Sequence, residues 1–159
     1  MRSPKVITAP EPIDLAPHDH ALFLAGSIEQ GAAIDWQSVV IDALADVPLT
    51  VLNPRRAQWD STWPQSASDP RFREQVQWEL TALERANTIA LYLDPNTKAP
   101  VSLLELGLFA RSSKLIVCCP DGFWRKGNVD IVCERYAIET AATIDALVAR
   151  ARARAFTTA

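Results

Sequence analysis

The sequence predicts a doubly wound α/β fold, flavodoxin-like or Rossmann-like, with a mainly parallel sheet of about five strands and helices on both faces. Short apolar runs of strand length alternate with longer segments whose apolar residues recur at helical spacing. This alternation is typical of βαβ units, which have right-handed crossovers and place their strands in parallel. The chain has 159 residues, 48% of them hydrophobic, which is enough for one packed domain.

The first 20 residues differ from the rest of the chain. They hold four of the 11 prolines and show no periodic apolar pattern, so we expect a flexible arm over 1–20. The ordered domain is expected to span 21–159. It begins with the apolar run 21–25, which predicts a buried strand that turns at Gly26 and Ser27.

Apolar spacing and capping residues predict the next elements. Residues 32–46 form a predicted helix, and residues 49–52 form the second strand. Asp69 is a suitable N-cap and Pro70 a suitable first residue for a helix over 71–87. The expected apolar faces of the two helices are Ile34, Val39, Val40, Ala43 and Leu44 in the first, and Phe72, Val76, Leu80 and Leu83 in the second.

The second half of the chain continues the pattern to its end. The predicted elements are a strand over 88–93 that ends at Asp94, a helix over 101–110, a strand over 114–119, a glycine-rich connection over 120–128, a short strand or helix near 129–133, a strand near 136–138, and a helix over 141–154.

A ligand is expected at one edge of this sheet. In doubly wound folds, ligands bind in the crevice outside the carboxyl ends of the strands. The segments that follow the predicted strands are 26–29, 53–70, 94–96 and 120–128. The second of these is long and aperiodic, and a loop of that length inside a compact domain is usually functional.

Composition and charge exclude several classes of protein. A net charge of −3 and a pI near 5.4 argue against nucleic-acid binding, which needs a basic surface. We expect no membrane segment and no signal peptide, because neither a 20-residue apolar run nor an N-terminal h-region is present. Cys118, Cys119 and Cys133 have no framework spacing, which predicts buried free thiols and a reducing, cytoplasmic location.

Chemistry in the core must come from carboxylates. His18 and His20 are the two histidines of the sequence, and both precede the first predicted strand. A Ser-His-Asp triad or a zinc site would require histidines in the core. We therefore expect no metal site and no cofactor.

Glu105 and Asp94 are the first candidates for that chemistry. Glu105 lies in a predicted helix that is apolar on most sides, so it must be solvent-facing, paired or functional. In the functional interpretation, the nearby helix N-terminus favours its anionic form. Asp94 ends an apolar strand, where it either caps a turn through Asn96 or Thr97 or faces the crevice. Glycosyl transfer uses such a carboxylate pair.

Other candidates lie in the helix over 71–87 and in the loops. Glu79 can reach a nucleobase, or it can be a surface acid paired with Arg73 or Arg85. The aromatic loop residues can stack on a base, or they can pack against the sheet edge; they are Trp59, Trp63, Phe123 and Trp124. Arg55 and Arg56 can hold a phosphate, or they can form ion pairs with Asp60 or Asp69.

Five short motifs occur in a characteristic order along residues 21–140. They are FLAGSI at 23–28, NPRR at 53–56, YLD at 92–94, LLELG at 103–107 and KGN at 126–128. In order and spacing they resemble the nucleoside 2-deoxyribosyltransferase-like superfamily. The resemblance implies a doubly wound fold and a double displacement, in which a glutamate attacks the anomeric carbon and a second base or water then accepts the sugar.

The resemblance also implies roles for individual residues. Glu105 matches the nucleophile, and Asp94 matches the aspartate that positions the sugar. Asn128 resembles the asparagine that a neighbouring subunit contributes, which implies a homo-oligomer. Glu79 stands where the transferases carry an aspartate, and the Gly26–Ser27 turn lacks the tyrosine of the transferases. The implied substrate is a small-molecule nucleoside or nucleotide.

The sequence leaves three functions open. The first is transfer of the sugar to another base, and the second is hydrolysis by the same glutamate chemistry. The third is a nucleotide-binding module without turnover. An interaction protein whose tryptophan-rich loops form an interface is a further alternative. The substrate-binding residues expected for an enzyme are Gly26, Ser27, Asn53, Arg55, Arg56, Trp59, Trp124 and Asn128.

Overall fold

A six-stranded, entirely parallel sheet forms the centre of the molecule. The computed structural model describes residues 4–28, 33–56, 60 and 62–157. The strand order across the sheet is β1-β3-β2-β4-β5-β6. The strands are β1 (Lys5–Thr8), β2 (Ala21–Gly26), β3 (Thr50–Asn53), β4 (Thr88–Tyr92), β5 (Leu115–Cys118) and β6 (Glu139–Ala141).

Five helices cover the two faces of the sheet. They are α1 (Trp36–Ala43), α2 (Pro70–Arg85), α3 (Pro100–Phe109), α4 (Lys126–Arg135) and α5 (Ile144–Thr157). Buried residues of α1 and α5 pack on one face, and buried residues of α2, α3 and α4 pack on the other. The predicted doubly wound α/β fold is therefore confirmed, with six strands where about five were expected.

The additional strand is β1, in the segment that was predicted to be a flexible arm. β1 pairs in parallel with β3, with Lys5 opposite Thr50, and thus forms one edge of the sheet. The chain after β1 is held by α2, because the Trp78 indole donates a hydrogen bond to the Glu11 carbonyl at 2.7 Å. A four-residue edge strand among prolines is too short to give a periodic signal.

The buried face of α1 differs from the predicted one. Ile34 and Val39 are 55% and 50% exposed, whereas Trp36, Val40 and Leu44 are fully buried. These three residues are spaced by four, so they form one stripe along the helix. Trp36 belongs to this stripe, although the predicted apolar face did not include it, and the helix begins four residues later than predicted.

The start of α2 follows the capping prediction. Asp69 accepts hydrogen bonds from the backbone N–H groups of Arg71 and Phe72 at 2.9 and 3.3 Å, and Pro70 is the first residue of the helix. This cap satisfies two of the N–H groups that a helix leaves unpaired at its N-terminus. Further along α2, Leu83 is buried as predicted, but Leu80 is 38% exposed.

The three cysteines are free and buried, as predicted. Burial raises the pKa of each thiol, Cys118, Cys119 and Cys133, to about 11. Thiols with such a pKa are protonated at neutral pH and fill space in the core. Within the described part of the chain, no helix is long and apolar enough to cross a membrane.

The strand order places one crevice at the middle of the sheet. β2 lies between β3 and β4, and the chain moves to one side after β2 and to the other side after β3. This reversal is a topological switch point, and ligands of doubly wound folds bind outside the carboxyl ends of the two strands beside it. Here those ends are Gly26, at the end of β2, and the Leu93–Asp94 segment after β4.

Substitution of Gly26 tests how closely the turn after β2 packs against Tyr92 and Trp36. Its φ is +144°, and a Cβ would overlap the Tyr92 carbonyl oxygen and lie 2.9 Å from the Trp36 ring. We expect Gly26→Ala to lower the free energy of unfolding by at least about 3 kcal/mol, from backbone strain plus overlap. Urea denaturation measures this loss.

Gly107 provides the matched control. It lies within α3, and beyond the helix's own nearby backbone no heavy atom lies within 4 Å of a Cβ built there. Gly107→Ala is expected to stabilise the protein by about 0.5–1 kcal/mol, because alanine loses less backbone entropy in a helix. Equal effects of the two substitutions would contradict this account of the turn.

Candidate functional site

The turn after β2 is fixed by hydrogen bonds to the segment after β4. The Ser27 N–H donates to the Tyr92 carbonyl at 3.0 Å, and the Ser27 hydroxyl oxygen accepts from the Asp94 N–H at 3.0 Å. The same hydroxyl lies 2.7 Å from the Thr97 hydroxyl. From α1, the Trp36 indole donates to the Ser27 carbonyl at 3.0 Å. The turn is thus part of the structural support of the crevice.

Asp94 lies in this crevice and is 2% exposed. One carboxylate oxygen accepts from the Asn96 N–H at 2.8 Å, and the Thr97 N–H donates to the Asp94 carbonyl at 3.0 Å. The other carboxylate oxygen accepts from the Ile34 N–H at 3.3 Å. The turn-capping interpretation is therefore confirmed. Asp94 also connects the end of β4 to the segment before α1.

Glu105 lies on the buried face of α3 and is 8% exposed. The solvent-exposed side chains of α3 are Val101, Leu104 and Leu108, and Glu105 is buried together with Ser102 and Leu106. The solvent-facing alternative is thus wrong. Burial, and then the charge of Glu79, raise the pKa of Glu105 from its ordinary 4.5 to about 8.

The helix N-terminus was expected to favour the anionic form of Glu105 and so to lower its pKa, but the pKa is raised instead. Glu105 is the sixth residue of α3, beyond the first four, whose N–H groups are free of intrahelical partners. Loss of hydration therefore dominates, and it favours the neutral carboxyl. With a pKa of about 8, the protonated form of Glu105 is favoured at neutral pH.

Glu79 is the neighbour that acts on Glu105. Burial raises the pKa of Glu79, and a hydrogen bond from Gln75 partly opposes this rise. The Gln75 side-chain amide donates to Glu79 Oε1 at 2.8 Å and to the Pro54 carbonyl at 2.9 Å. Glu79 is therefore not the surface acid of the alternative interpretation. The arginines named in that alternative, Arg73 and Arg85, donate instead to the Ala67 and Ile13 carbonyls.

The end of β3 brings polar groups towards the same edge. Asn53 Oδ1 accepts from the Arg55 N–H at 3.1 Å, which forms a local turn. The Arg55 guanidinium donates to the Gln37 side-chain oxygen at 3.1 Å and lies 3.7 Å from Asp35.

Arg56, the next residue, lies 3.6 Å from Glu74. The arginines thus form ion pairs, as one interpretation held, but with partners other than Asp60 and Asp69.

The aromatic loop residues have different surroundings. Trp124 is 49% exposed, and its indole donates to the Lys98 carbonyl at 2.8 Å. Phe123 is buried in the core and is not available for stacking on a base. The Trp63 ring lies 4.5 Å from the Arg71 guanidinium. Trp59, expected to bind substrate, falls outside the described residues.

Asn128 is exposed on the first turn of α4. Among the described hydrogen bonds, none joins it to Asp94 or Glu105. The structure therefore groups Glu79 with Glu105, and Asp94 with Ser27 and Thr97. Within the described ranges, no three histidine, cysteine, aspartate or glutamate side chains are grouped as metal ligands would be.

Three residues of this edge were not expected to contribute, and a fourth, Thr97, was expected only as a turn partner of Asp94. Thr97 contacts Ser27, Trp36 supports the turn, Gln37 binds Arg55, and Gln75 binds Glu79. The two glutamines are 1% and 8% exposed. A buried glutamine is uncommon, but burial is visible only once the helices are placed on the sheet.

Comparison with protein families identifies the family of the chain. The family model described as "Nucleoside 2-deoxyribosyltransferase like" matches residues 19–123. The chain belongs to this family. The matched segment contains the turn after β2, the segment after β4, and the positions of Glu79 and Glu105.

A solved structure shares the fold of this family member. It is a conserved protein from Enterococcus faecalis V583, with 12% sequence identity and a TM-score of 0.59. The similarity covers 86% of this chain and 99% of that chain. Comparison with curated proteins gave no match.

The burial of Glu105 predicts a pH-dependent effect on stability. The unfolded chain loses the Glu105 proton near pH 4.5, whereas the folded protein keeps it to about pH 8. The unfolded state binds fewer protons in this window, so this residue makes folding less favourable as pH rises. The cost approaches about 1.4 kcal/mol for each pH unit at most.

Glu105→Gln removes this titration. We expect the free energy of unfolding of the variant to exceed that of the wild type increasingly from pH 5 to pH 8, as measured by urea denaturation at several pH values. A difference between the two proteins that does not change with pH would contradict the raised pKa.

Proposed function

We propose that this protein is an enzyme that cleaves the N-glycosidic bond of a nucleoside or nucleotide and transfers the sugar to another base. The observation that carries the proposal is the pair formed by the buried Glu105 and the partly buried Glu79. Two neighbouring carboxyls whose pKa values are both raised by burial are unfavourable for stability. Such groups concentrate at functional sites. Family membership supports the same chemistry.

In the proposed reaction, Glu105 acts as the nucleophile. Its carboxylate oxygen bonds to the anomeric carbon, and the bond from that carbon to the base nitrogen breaks. The electron pair leaves with the base, which takes up a proton. In the second step the nitrogen of an acceptor base attacks the same carbon, its proton passes back to the carboxyl pair through Glu79, and the bond from the carbon to the Glu105 oxygen breaks. The oxocarbenium-like transition state is positively charged, and buried carboxylates stabilise it.

The carboxyl pair can also supply the proton. Because the pKa of Glu105 is raised to about 8, the resting pair carries a proton at neutral pH. Delivery of that proton to the leaving base, through Glu79, leaves Glu105 anionic and ready to attack. The raised pKa is thus compatible with a nucleophile, since protonation of the base and ionisation of Glu105 occur together.

The remaining polar groups have proposed binding roles. Asp94 positions the sugar at the switch point. Trp59 and Trp124 contact the base, and Arg55 and Arg56 bind the 5′ end of the substrate. Gly26, Ser27 and Asn53 shape the crevice around these groups. Asn128 serves the site of a neighbouring copy in a homo-oligomer.

Turnover with a defined set of compounds tests the proposal. Purified protein is incubated with deoxynucleosides, ribonucleosides and their 5′-monophosphates, with and without a second free base, and the bases are separated by chromatography. We expect base exchange in the wild type and a loss of at least about 1,000-fold in Glu105→Gln, since a nucleophile has no substitute in an amide.

Glu84→Gln is the matched control. Glu84 is an exposed glutamate on α2, so its substitution should leave the rate unchanged. Base release without exchange would establish a hydrolase instead of a transferase. Absence of turnover with every compound, or equal rates for Glu105→Gln and the wild type, would contradict the proposal.

A further inference from the structure

Gln75 links the carboxyl pair to the end of β3. It lies on the second turn of α2, four residues before Glu79, and is 8% exposed. Its amide nitrogen donates to Glu79 Oε1 at 2.8 Å and to the Pro54 carbonyl at 2.9 Å. A carbonyl oxygen can only accept, so the nitrogen must be the atom that faces Pro54. One amide thus connects the Glu79 carboxyl to the main chain of the sheet edge.

The side-chain oxygen of Gln75 indicates that the hydrogen bonds of this amide do not serve to stabilise the fold. Gln75 Oε1 is buried and has no hydrogen-bond partner among the described residues. Burial of an unpaired polar atom destabilises a protein, and an apolar side chain of the same shape avoids that penalty. A glutamine retained under these conditions is expected to serve the carboxyl that it holds.

The charged groups around Glu79 and Glu105 have other partners, and Gln75 is the residue that binds the Glu79 carboxyl. On α2, Glu74 lies beside Arg56. At the end of β3, Arg55 lies beside Gln37 and Asp35, on the other side of the sheet. Asp94, after β4, accepts from the Asn96 and Ile34 N–H groups. On α3, Glu105 is the only ionisable side chain from 100 to 109.

We propose that Gln75 is a positioning residue, which fixes the Glu79 carboxyl beside Glu105 by anchoring it to the Pro54 carbonyl. Without this anchor, the partly exposed Glu79 side chain can turn towards solvent, and its carboxyl leaves Glu105. The inference rests on the proposed function for its catalytic meaning. Its structural content, the coupling of two carboxyls through one amide, can be tested without turnover.

Titration of Glu105 in four proteins tests the coupling. They are the wild type, Glu79→Gln, Gln75→Met and the double variant, each followed by 13C NMR of the glutamate side-chain carboxyls. We expect Glu79→Gln to lower the pKa of Glu105 by about 0.5 unit or more, because a neighbouring negative charge is removed. In the Gln75→Met background the same substitution is expected to leave the pKa of Glu105 unchanged.

Stability and kinetics separate positioning from simple support of the fold. Gln75→Met is expected to unfold at a urea concentration close to that of the wild type, because methionine removes the penalty of the unpaired Oε1 while the buried Pro54 carbonyl loses its donor. With the substrate found by the turnover assay, it is expected to lower kcat at least about 10-fold and to change KM less than about 2-fold. Gln77→Met, at an exposed glutamine of the same helix, is the control.

Each measurement has an outcome that overturns the inference. A shift of the Glu105 pKa that is equal in both backgrounds, or absent in both, shows that Gln75 does not position Glu79. A clear loss of stability in Gln75→Met shows a structural role. If the wild type turns over no compound, the proposed function fails, and the titration still decides whether Gln75 holds the pair.

Discussion

The burial of Glu105 is the constraint on which the rest of the site depends. Glu105 is 8% exposed and is one of the buried residues of α3, so its carboxyl has lost most of its hydration. The pKa rises to about 8 as a result, and Glu79 adds to this rise. A protein selected only for stability would place an apolar residue here. The position is therefore better explained by chemistry than by packing.

The parallel sheet determines where that chemistry can occur. Because β2 and β4 are neighbours with connections in opposite directions, their carboxyl ends open a crevice. Gly26 allows the chain to turn against Tyr92, and Ser27 binds the backbone of Asp94. Glu79 on α2 and Glu105 on α3 lie near enough for the charge of Glu79 to raise the pKa of Glu105. These residues come from several separate elements, and the fold alone unites them.

Much of the fold could be predicted from the sequence, because parallel strands give continuous apolar runs and α2 begins with a clear cap. β1 could not be, since four residues at a sheet edge have no periodicity. Glu105 was predicted as a candidate because it is an acid within an apolar helix. The raised pKa of its carboxyl could not be predicted, because it depends on how completely the folded protein buries the side chain. Gln75 was missed for the same reason. In the sequence, Gln75 gives no sign of its hydrogen bond to the Pro54 carbonyl, which forms only when α2 lies on the sheet.

A covalent sugar on Glu105 is the most direct test of the central claim. The protein is mixed with a nucleoside that it turns over, without an acceptor base, quenched in acid within milliseconds, and digested for peptide mass spectrometry. The account predicts an added mass of one sugar residue on the α3 peptide, located on Glu105 and removed when a free base is added before the quench. Turnover with no adduct on Glu105, or with an adduct on another residue, would contradict the assignment of the nucleophile.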